Sequence, residues 1–465
     1  MKKRIVSALL IFSALLTGCA GRNEVQIVPE NPIPSDSHIK PWGEDNSETG
    51  EIVEEEPAAE ASDTSYESDA TDNSATANEA TDSGSSNTSD TPEIKDIDLS
   101  ENSSGKAEEA VYNLGQAILN ANIKKDNIMV SPVSIERALT MAMDGADGTT
   151  RDEIFKALYG SLSGDVASEL TELYKTFDVG DEESFVIANS IWTNSDNSIV
   201  LDPEYEKTVS EKYGALATSL PFSDSSSVDK INSWVAQKTH DQIKSIINEL
   251  NDGHNMVLVN TTYFKSNWYN EFSPSMDKLS FTNADGSTVK VASMRSYGDD
   301  IYIKTKGYEG FKKGYTNGFY YVALLPGKGQ AAADVLNNLS YEDVANAASE
   351  PAILNLTLPS YESDYEVELS DTLKALGVTE AFTDQAQFDR MCNDSSRISS
   401  VVHKTHIKLD EKGTEASAAT SVIMATTTSI QEKPIVDLVF DRPFVYYIFN
   451  QNDVPVFMGV VNSLK

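Results

Sequence analysis

Five histidines, two cysteines and a surplus of carboxylates are the side chains with chemistry to offer, and their spacing assembles no catalytic centre. His403 and His406 are the one close histidine pair. On a strand, residues three apart face opposite sides, so these two would not share a metal ion. His38, His240 and His254 stand apart from them. Cys392, in the run MCNDSS, has no neighbouring base or cation to lower its thiol pKa and reads as an incidental small residue. No G-x-S-x-G, H-E-x-x-H, Walker A, G-x-G-x-x-G or paired C-x-x-C run occurs. The Asp and Glu residues are too many and too scattered to nominate an acid–base pair. The expectation is a protein that is not an enzyme and needs neither metal nor cofactor.

The segment with the most distinctive chemistry is one that another molecule could act on. Asp410 to Thr428 reads DEKGTEASAATSVIMATTT, with no proline and no aromatic, and its charge lies at the front in Asp410, Glu411, Lys412 and Glu415. From Thr414 the residues alternate as a strand would use them. Thr414, Ala416, Ala418, Thr420, Val422 and Met424 are small or apolar and fit a core. The residues between them, Glu415, Ser417, Ala419, Ser421, Ile423 and Ala425, carry the charge and hydroxyls and fit a solvated face. No bulky apolar residue precedes Val422, so the segment can be a strand without being obliged to be one.

At the N-terminus, Lys2, Lys3 and Arg4 precede an apolar run from Ile5 to Leu16. That is the length of a signal sequence's apolar core and short for a membrane span. It ends in Leu16-Thr17-Gly18-Cys19, which resembles a bacterial lipoprotein signal. The resemblance implies a signal peptide over 1–18, acylation of Cys19, and an extracytoplasmic protein anchored to a membrane by lipid. With Cys19 acylated, Cys392 has no disulfide partner and the fold must rest on its own core. Residues 19–105 follow as an acidic tether rich in Ser, Thr, Asp and Glu. From Ala20 to Glu101 about 22 acidic residues face 3 basic ones. Such a composition cannot bury enough apolar surface to offset its ordering entropy, so disorder is expected, with a reach of ~50 Å or more. A net charge of −37, with 36 basic residues spread along the chain, excludes a phosphate-tracking surface, so no nucleic-acid partner is expected.

Residues 106–465 must supply the elements that position anything functional. Val111, Leu114, Ala117 and Ile118 fall at helical spacing, and a second helix is expected after Pro132. Short apolar strands are expected at Phe185–Trp192, Met256–Phe264, Gly318–Leu325, Ile353–Leu358, Val436–Phe440, Phe444–Phe449 and Val454–Val461, with a turn at Asn450–Asp453. Helices come early and strands later, which argues α+β rather than an alternating fold.

A set of ordered motifs then points to a family. They are NIMVSPVSI from Asn127 to Ile135, Met143-Asp-Gly145-Ala146 with Gly148 and Thr150, Ile231-Asn232 with Trp234, and Lys244 to Ile247. LVNTTYFKSNW from Leu258 to Trp268 follows, then Val401-Val-His403-Lys404, DEKGTEA from Asp410 to Ala416, Asp441-Arg-Pro443-Phe444, and Phe457-Met-Gly459. Nearly all of Ala107–Lys465 resembles a serpin. The Ile231 and Lys244 motifs together resemble the helix before the central strand. The resemblance implies three β-sheets, about eight or nine helices and an exposed reactive-centre loop. It also implies a mechanism: a serine protease attacks the loop as substrate, an acyl-enzyme forms, and the cleaved loop inserts into the central sheet as an extra strand, trapping the protease.

The resemblance assigns roles residue by residue. The hinge is Glu411, Gly413, Thr414, Ala416 and Ala418. The bait is Ala425 and Thr426, and the reactive bond joins Thr427 to Thr428. Ser131, Ser134, Asn260 and His403 match the shutter beneath the place where the sheet parts, and Trp268 matches the breach where insertion begins. Where some relatives carry a lysine after Leu-Pro to tether the hinge glutamate, Leu358-Pro359 is followed here by Ser360. Ala416 to Ile430 contains no Lys, Arg, Phe, Tyr or Trp. The expected partner is therefore an elastase-like protease with a small pocket, or a subtilisin-like one, in covalent complex with a monomer. The alternative is a non-inhibitory surface binding protein on the same fold. Bulky, charged or proline residues in the hinge would mark it, and none stands among Ala416–Thr420.

Overall fold

A computed structural model of the chain describes residues 106–465 apart from 125, 161, 163–165, 175–184, 348, 394–395 and 415–432. Among the described residues there are nine α-helices: α1 (Ala107–Asn122), α2 (Pro132–Asp144), α3 (Gly148–Tyr159), α4 (Val166–Tyr174), α5 (Pro203–Tyr213), α6 (Ser226–Lys238), α7 (Ala332–Leu336), α8 (Tyr341–Ala345) and α9 (Ser370–Ala375). α1 buries Val111, Leu114, Ala117 and Ile118 on one stripe. α2 begins with Pro132, whose fixed φ suits the first helical turn and whose missing N–H is not needed there.

Among the described residues three main sheets and one two-stranded hairpin carry the rest, with strands numbered in chain order. The central sheet runs β3 (Leu216–Leu220), β2 (Phe185–Asn194), β4 (Met256–Phe264), β16 (Ile398–Leu409), β17 (Gly413–Thr414), β5 (Ser266–Asn267), and β15 (Tyr361–Glu368) pairs with β16. The second runs β1 (Ile128–Val130), β20 (Pro455–Val461), β19 (Phe444–Phe449), β12 (Tyr320–Pro326), β11 (Tyr308–Gly314), β10 (Ile301–Lys304), β13 (Ser349–Glu350). The third runs β18 (Ile435–Val439), β14 (Ile353–Pro359), β9 (Ser293–Gly298), β6 (Ser273–Pro274), and β7 (Leu279–Thr282) forms a hairpin with β8 (Thr288–Val291). The architecture is α+β. α2 lies where it touches both β2 and β4 of the central sheet and β20 of the second.

Every residue of β4 is buried, which is why its sequence is a near-continuous apolar and small run rather than an alternation. β4 and β16 are parallel, from Ile398 opposite Met256 to Thr405 opposite Thr262. The helix expected across Ile231 to Ile247 is shorter than that. α6 stops at Lys238, and His240 and Asp241 take left-handed φ values of 50° and 63°. Asn232 explains the irregular stretch beyond. Its side-chain oxygen accepts from the N–H groups of Ile246 (2.8 Å) and Ile247 (3.1 Å), and its amide donates to the Ile247 carbonyl (2.8 Å). Ile243, Ile246 and Ile247 thereby pack with Trp192, Val235 and Val257 without helical bonds.

Candidate functional site

The lower half of the β4–β16 junction is held by side chains. Asn189 on β2 stands opposite Asn260 on β4, and Asn260 stands opposite His403 on β16, so three polar residues form one row across three strands. All three are buried. The first turn of α2 lies beneath them and supplies their partners. The Ser131 N–H donates to His403 Nε2 at 3.1 Å. That nitrogen is an acceptor, so the proton sits on Nδ1, which donates to Asn260 Oδ1. The Asn260 amide donates to the Ser134 carbonyl at 2.8 Å, to the Ser134 hydroxyl and to Asn189 Oδ1. Asn189 donates to the Ser134 carbonyl at 3.1 Å. Burial pushes the His403 pKa down to about 3, so the ring is neutral at physiological pH. A neutral imidazole with both nitrogens engaged is a latch between strands, not a proton carrier.

Ser131, Ser134, Asn260 and His403, which the resemblance groups as the shutter, meet in one hydrogen-bonded cluster. Asn189 was not picked out. Its strand was expected, but alternation along one strand says nothing about which residue lies across from it. His406 points to the other face of β16 from His403 and bonds Asp364 through Nδ1 at 2.8 Å. Cys392 is buried, with its Sγ 3.7 Å from the Phe388 carbonyl oxygen. Among the described residues no group of three or more His, Cys, Asp or Glu side chains is placed to hold a metal ion.

The upper half of the same junction is built differently. Beyond Thr405 and Thr262 the two strands no longer pair with each other. There Gly413 and Thr414 stand as β17 between β16 and β5, the short strand that follows β4 in the chain, with Thr414 opposite both Leu409 of β16 and Ser266 of β5. Thr414 is 1% exposed, the inward orientation its place in the alternation predicts. Gly413 is required here, because a Cβ would lie 2.1 Å from the Ser266 carbonyl oxygen.

An aromatic cage grips the chain on either side. The Trp268 indole N–H donates to the Asp410 carbonyl at 3.0 Å, and its main-chain N–H donates to the Lys412 carbonyl at 2.8 Å. The Phe272 N–H donates to the Glu411 carbonyl at 2.8 Å. The Tyr315 hydroxyl lies 2.8 Å from the Thr414 hydroxyl, and its ring stacks on Trp268 with centroids 4.3 Å apart. Trp268 was legible in the sequence. Phe272 and Tyr315 were not, since isolated aromatics carry no signal of what they touch. Among the described residues the Glu411 carboxylate makes no ion pair, and Ser360 follows Pro359 in place of a lysine. Cys19, Ala416, Ala418, Ala425, Thr426, Thr427 and Thr428 lie outside the described residues.

Comparison with known proteins gives a consistent answer. The family model for serpin (serine protease inhibitor) matches residues 107–464. Neuroserpin of Mus musculus is 30% identical over 363 residues, covering 72% of this chain and 86% of neuroserpin. Serpin-Z1B of Triticum aestivum is 31% identical over 367 residues, covering 73% of this chain and 90% of its own. Among solved structures, the thermophilic serpin Tengpin in its native state superposes with a TM-score of 0.67 at 29% identity, covering 77% of this chain and 93% of Tengpin. A thyroxine-binding globulin complex with thyroxine gives 0.68 at 25% identity, with 77% and 99% covered.

Proposed function

We infer the function from one premise: the chain belongs to the serpin family. Members of that family are generally serine protease inhibitors and not enzymes. We propose that this one is a suicide-substrate inhibitor of serine proteases with small-residue, elastase-like specificity. The protease serine attacks the Thr427 carbonyl, the peptide bond to Thr428 breaks, and the Thr428 amine leaves carrying a proton. Thr427 remains esterified to the enzyme. Insertion of the freed segment between β4 and β16 then outruns hydrolysis of that ester. Ala425 and Thr426 suit a small substrate pocket, and a pocket with a buried acid finds no Lys or Arg from Ala416 to Ile430.

The observation that carries this reading is β17. Its two residues already occupy the top of the path an inserting strand would take, and both of its neighbours have a defined register. Continued downward, that register sets Ala416 beside Ile407 and Phe264, and Ala418 beside Thr405 and Thr262. Small side chains are what a packed interior admits at those positions. The pairing of Thr405 with Thr262, and the Asn260–His403 bond below it, would have to part. On this reading Glu411, Gly413, Thr414, Ala416 and Ala418 are the hinge, Ser131, Ser134, Asn260 and His403 the shutter, and Trp268 the breach. The inhibitor acts as a monomer.

The N-terminal motif supports a companion proposal. Residues 1–18 are a lipoprotein signal, Cys19 carries the lipid anchor, and 19–105 tether the serpin domain of 106–465 at an extracytoplasmic membrane surface.

The test is incubation with an elastase-like protease. An SDS-stable complex is expected, together with a released peptide beginning at Thr428 by mass spectrometry. Cleaved protein alone, beside a fully active protease, would sink the proposal. That second outcome would favour a non-inhibitory binding protein, the reading that the likeness to a thyroxine-binding globulin complex keeps in play.

A further inference from the structure

Along β11, Phe311 and Lys313 point inward, and Tyr315 follows two residues on; all three are buried. An ammonium among aromatics is out of place unless something holds it there. The Lys313 side chain is 2% exposed, and Nζ lies 3.0 and 2.9 Å from the two oxygens of Asp300, itself 11% exposed. Ser296 on β9 adds its hydroxyl at 3.3 Å from Nζ and donates to Asp300 at 3.2 Å. The remaining side of the ammonium faces the Phe272 ring, 4.8 Å from its centroid. Asp300 sits in the connection from β9 to β10, so the pair ties the third sheet to the second directly beside the cage around Asp410–Thr414.

A buried ion pair of this kind is weak evidence for stability, because desolvating two charges offsets most of their attraction; an apolar pair of similar volume is often as good. Its use must be sought in what it positions. Phe272 lies between the Lys313 ammonium and the Trp268 ring, whose centroid is 5.5 Å from its own. The Phe272 N–H holds the Glu411 carbonyl. We propose that Lys313 and Asp300 are positioning residues for loop insertion. They pin Phe272 against Trp268 and so hold the hinge at the stage where Thr414 has been admitted. The inference rests on the insertion reading above and adds residues to it.

The test needs no protease complex. In the full-length protein, Lys313→Met combined with Asp300→Asn removes the pair without leaving a buried charge unpaired. Phe272→Leu reaches the same contact independently, should the double variant fold poorly. The first measurement is the rate at which warmed, uncleaved protein converts to the heat-resistant form with its loop inserted. The second is the melting temperature of protein already cleaved in the loop.

The double variant is expected to convert about tenfold faster than the parent, the factor that ~1.4 kcal/mol makes in a rate. Phe272→Leu should convert comparably fast, the triple variant no faster, and the cleaved forms should melt together. Asp299→Asn, which removes an exposed pair with Lys433 (3.1 Å), is the control and should convert at the parental rate. Conversion of the double variant or of Phe272→Leu at the parental rate would overturn the inference. So would equal losses in native and cleaved melting temperatures, which mark a merely supporting role. If cleavage of the parent brings no gain in heat resistance, the insertion reading itself falls and takes this inference with it.

Discussion

The two halves of the β4–β16 junction solve one problem in opposite ways. In the lower half the strands touch, and Asn260, His403 and Asn189 bond to one another and to the first turn of α2. In the upper half a third strand enters, and Trp268 and Phe272 hold the turn that leads into it by the main-chain carbonyls of Asp410, Glu411 and Lys412. Side-chain bonds recognise particular residues, whereas carbonyl bonds recognise any chain that takes the right path. The lower half is therefore a specific lock. The upper half is a general slot whose selectivity comes from space, as Gly413 and Thr414 illustrate. A sheet that must stay shut and yet admit a strand needs both.

The largest effect that would break this contrast is expected from Thr414→Arg. The position is buried, and an unpaired guanidinium there costs several kcal/mol. Cleavage should continue while protease trapping is lost. A variant that still formed SDS-stable complexes would show that the upper half is not where insertion starts.

Asn260→Ala attacks the lower half. It strips partners from His403, Ser134 and Asn189 together and should cost the native protein ~3 kcal/mol in urea unfolding. The loop-cleaved form should lose clearly less, because there the two strands are already apart. Equal losses would mean the cluster supports the fold without locking the sheet.

Acid should loosen the same half. His403 has a pKa of about 3 in the folded protein against an ordinary 6.5, so below pH 6.5 the unfolded chain binds a proton that the folded one refuses. Stability contributed by the neutral ring is whole above pH 6.5 and declines as pH falls toward 3, by ~1.4 kcal/mol at pH 5.5. His403→Gln should flatten that part of a pH series of unfolding midpoints. An unchanged slope would assign the acid sensitivity to other groups.

The smallest effect belongs to the slot. Tyr315→Phe removes one hydroxyl contact to Thr414 and keeps the ring stacked on Trp268. About 1 kcal/mol is expected, read as a modest rise in hinge proteolysis. A loss as large as that of Asn260→Ala would erase the contrast between side-chain lock and main-chain slot.

Much of this frame was legible beforehand. Met256–Phe264 and Phe444–Phe449 are strands with the bounds expected of them. Other strand ends moved by a residue or two for local reasons. β12 begins at Tyr320 because Gly318, at φ 86°, belongs to the preceding turn. The turn at Asn450–Asp453 is held by the Asn450 side chain, which accepts from the N–H groups of Asn452 and Val454 at 2.9 Å. Asn189, Phe272, Tyr315, Lys313 and Asp300 were not legible, because each acquires its role from a residue far off in the chain.

By itself the sequence determined the family, through ordered motifs from Asn127 to Gly459, and the alternation that makes Thr414 an inward residue. Only the tertiary structure decided that Asn189 completes the row with Asn260 and His403, and that Thr414 already stands between Leu409 and Ser266. It alone set a buried lysine behind the hinge. The physical reason is the same in each case. Periodicity and motif report which face a residue turns to its own neighbours. Which distant strand meets that face is chosen by register and packing over the whole sheet, and no local pattern encodes it.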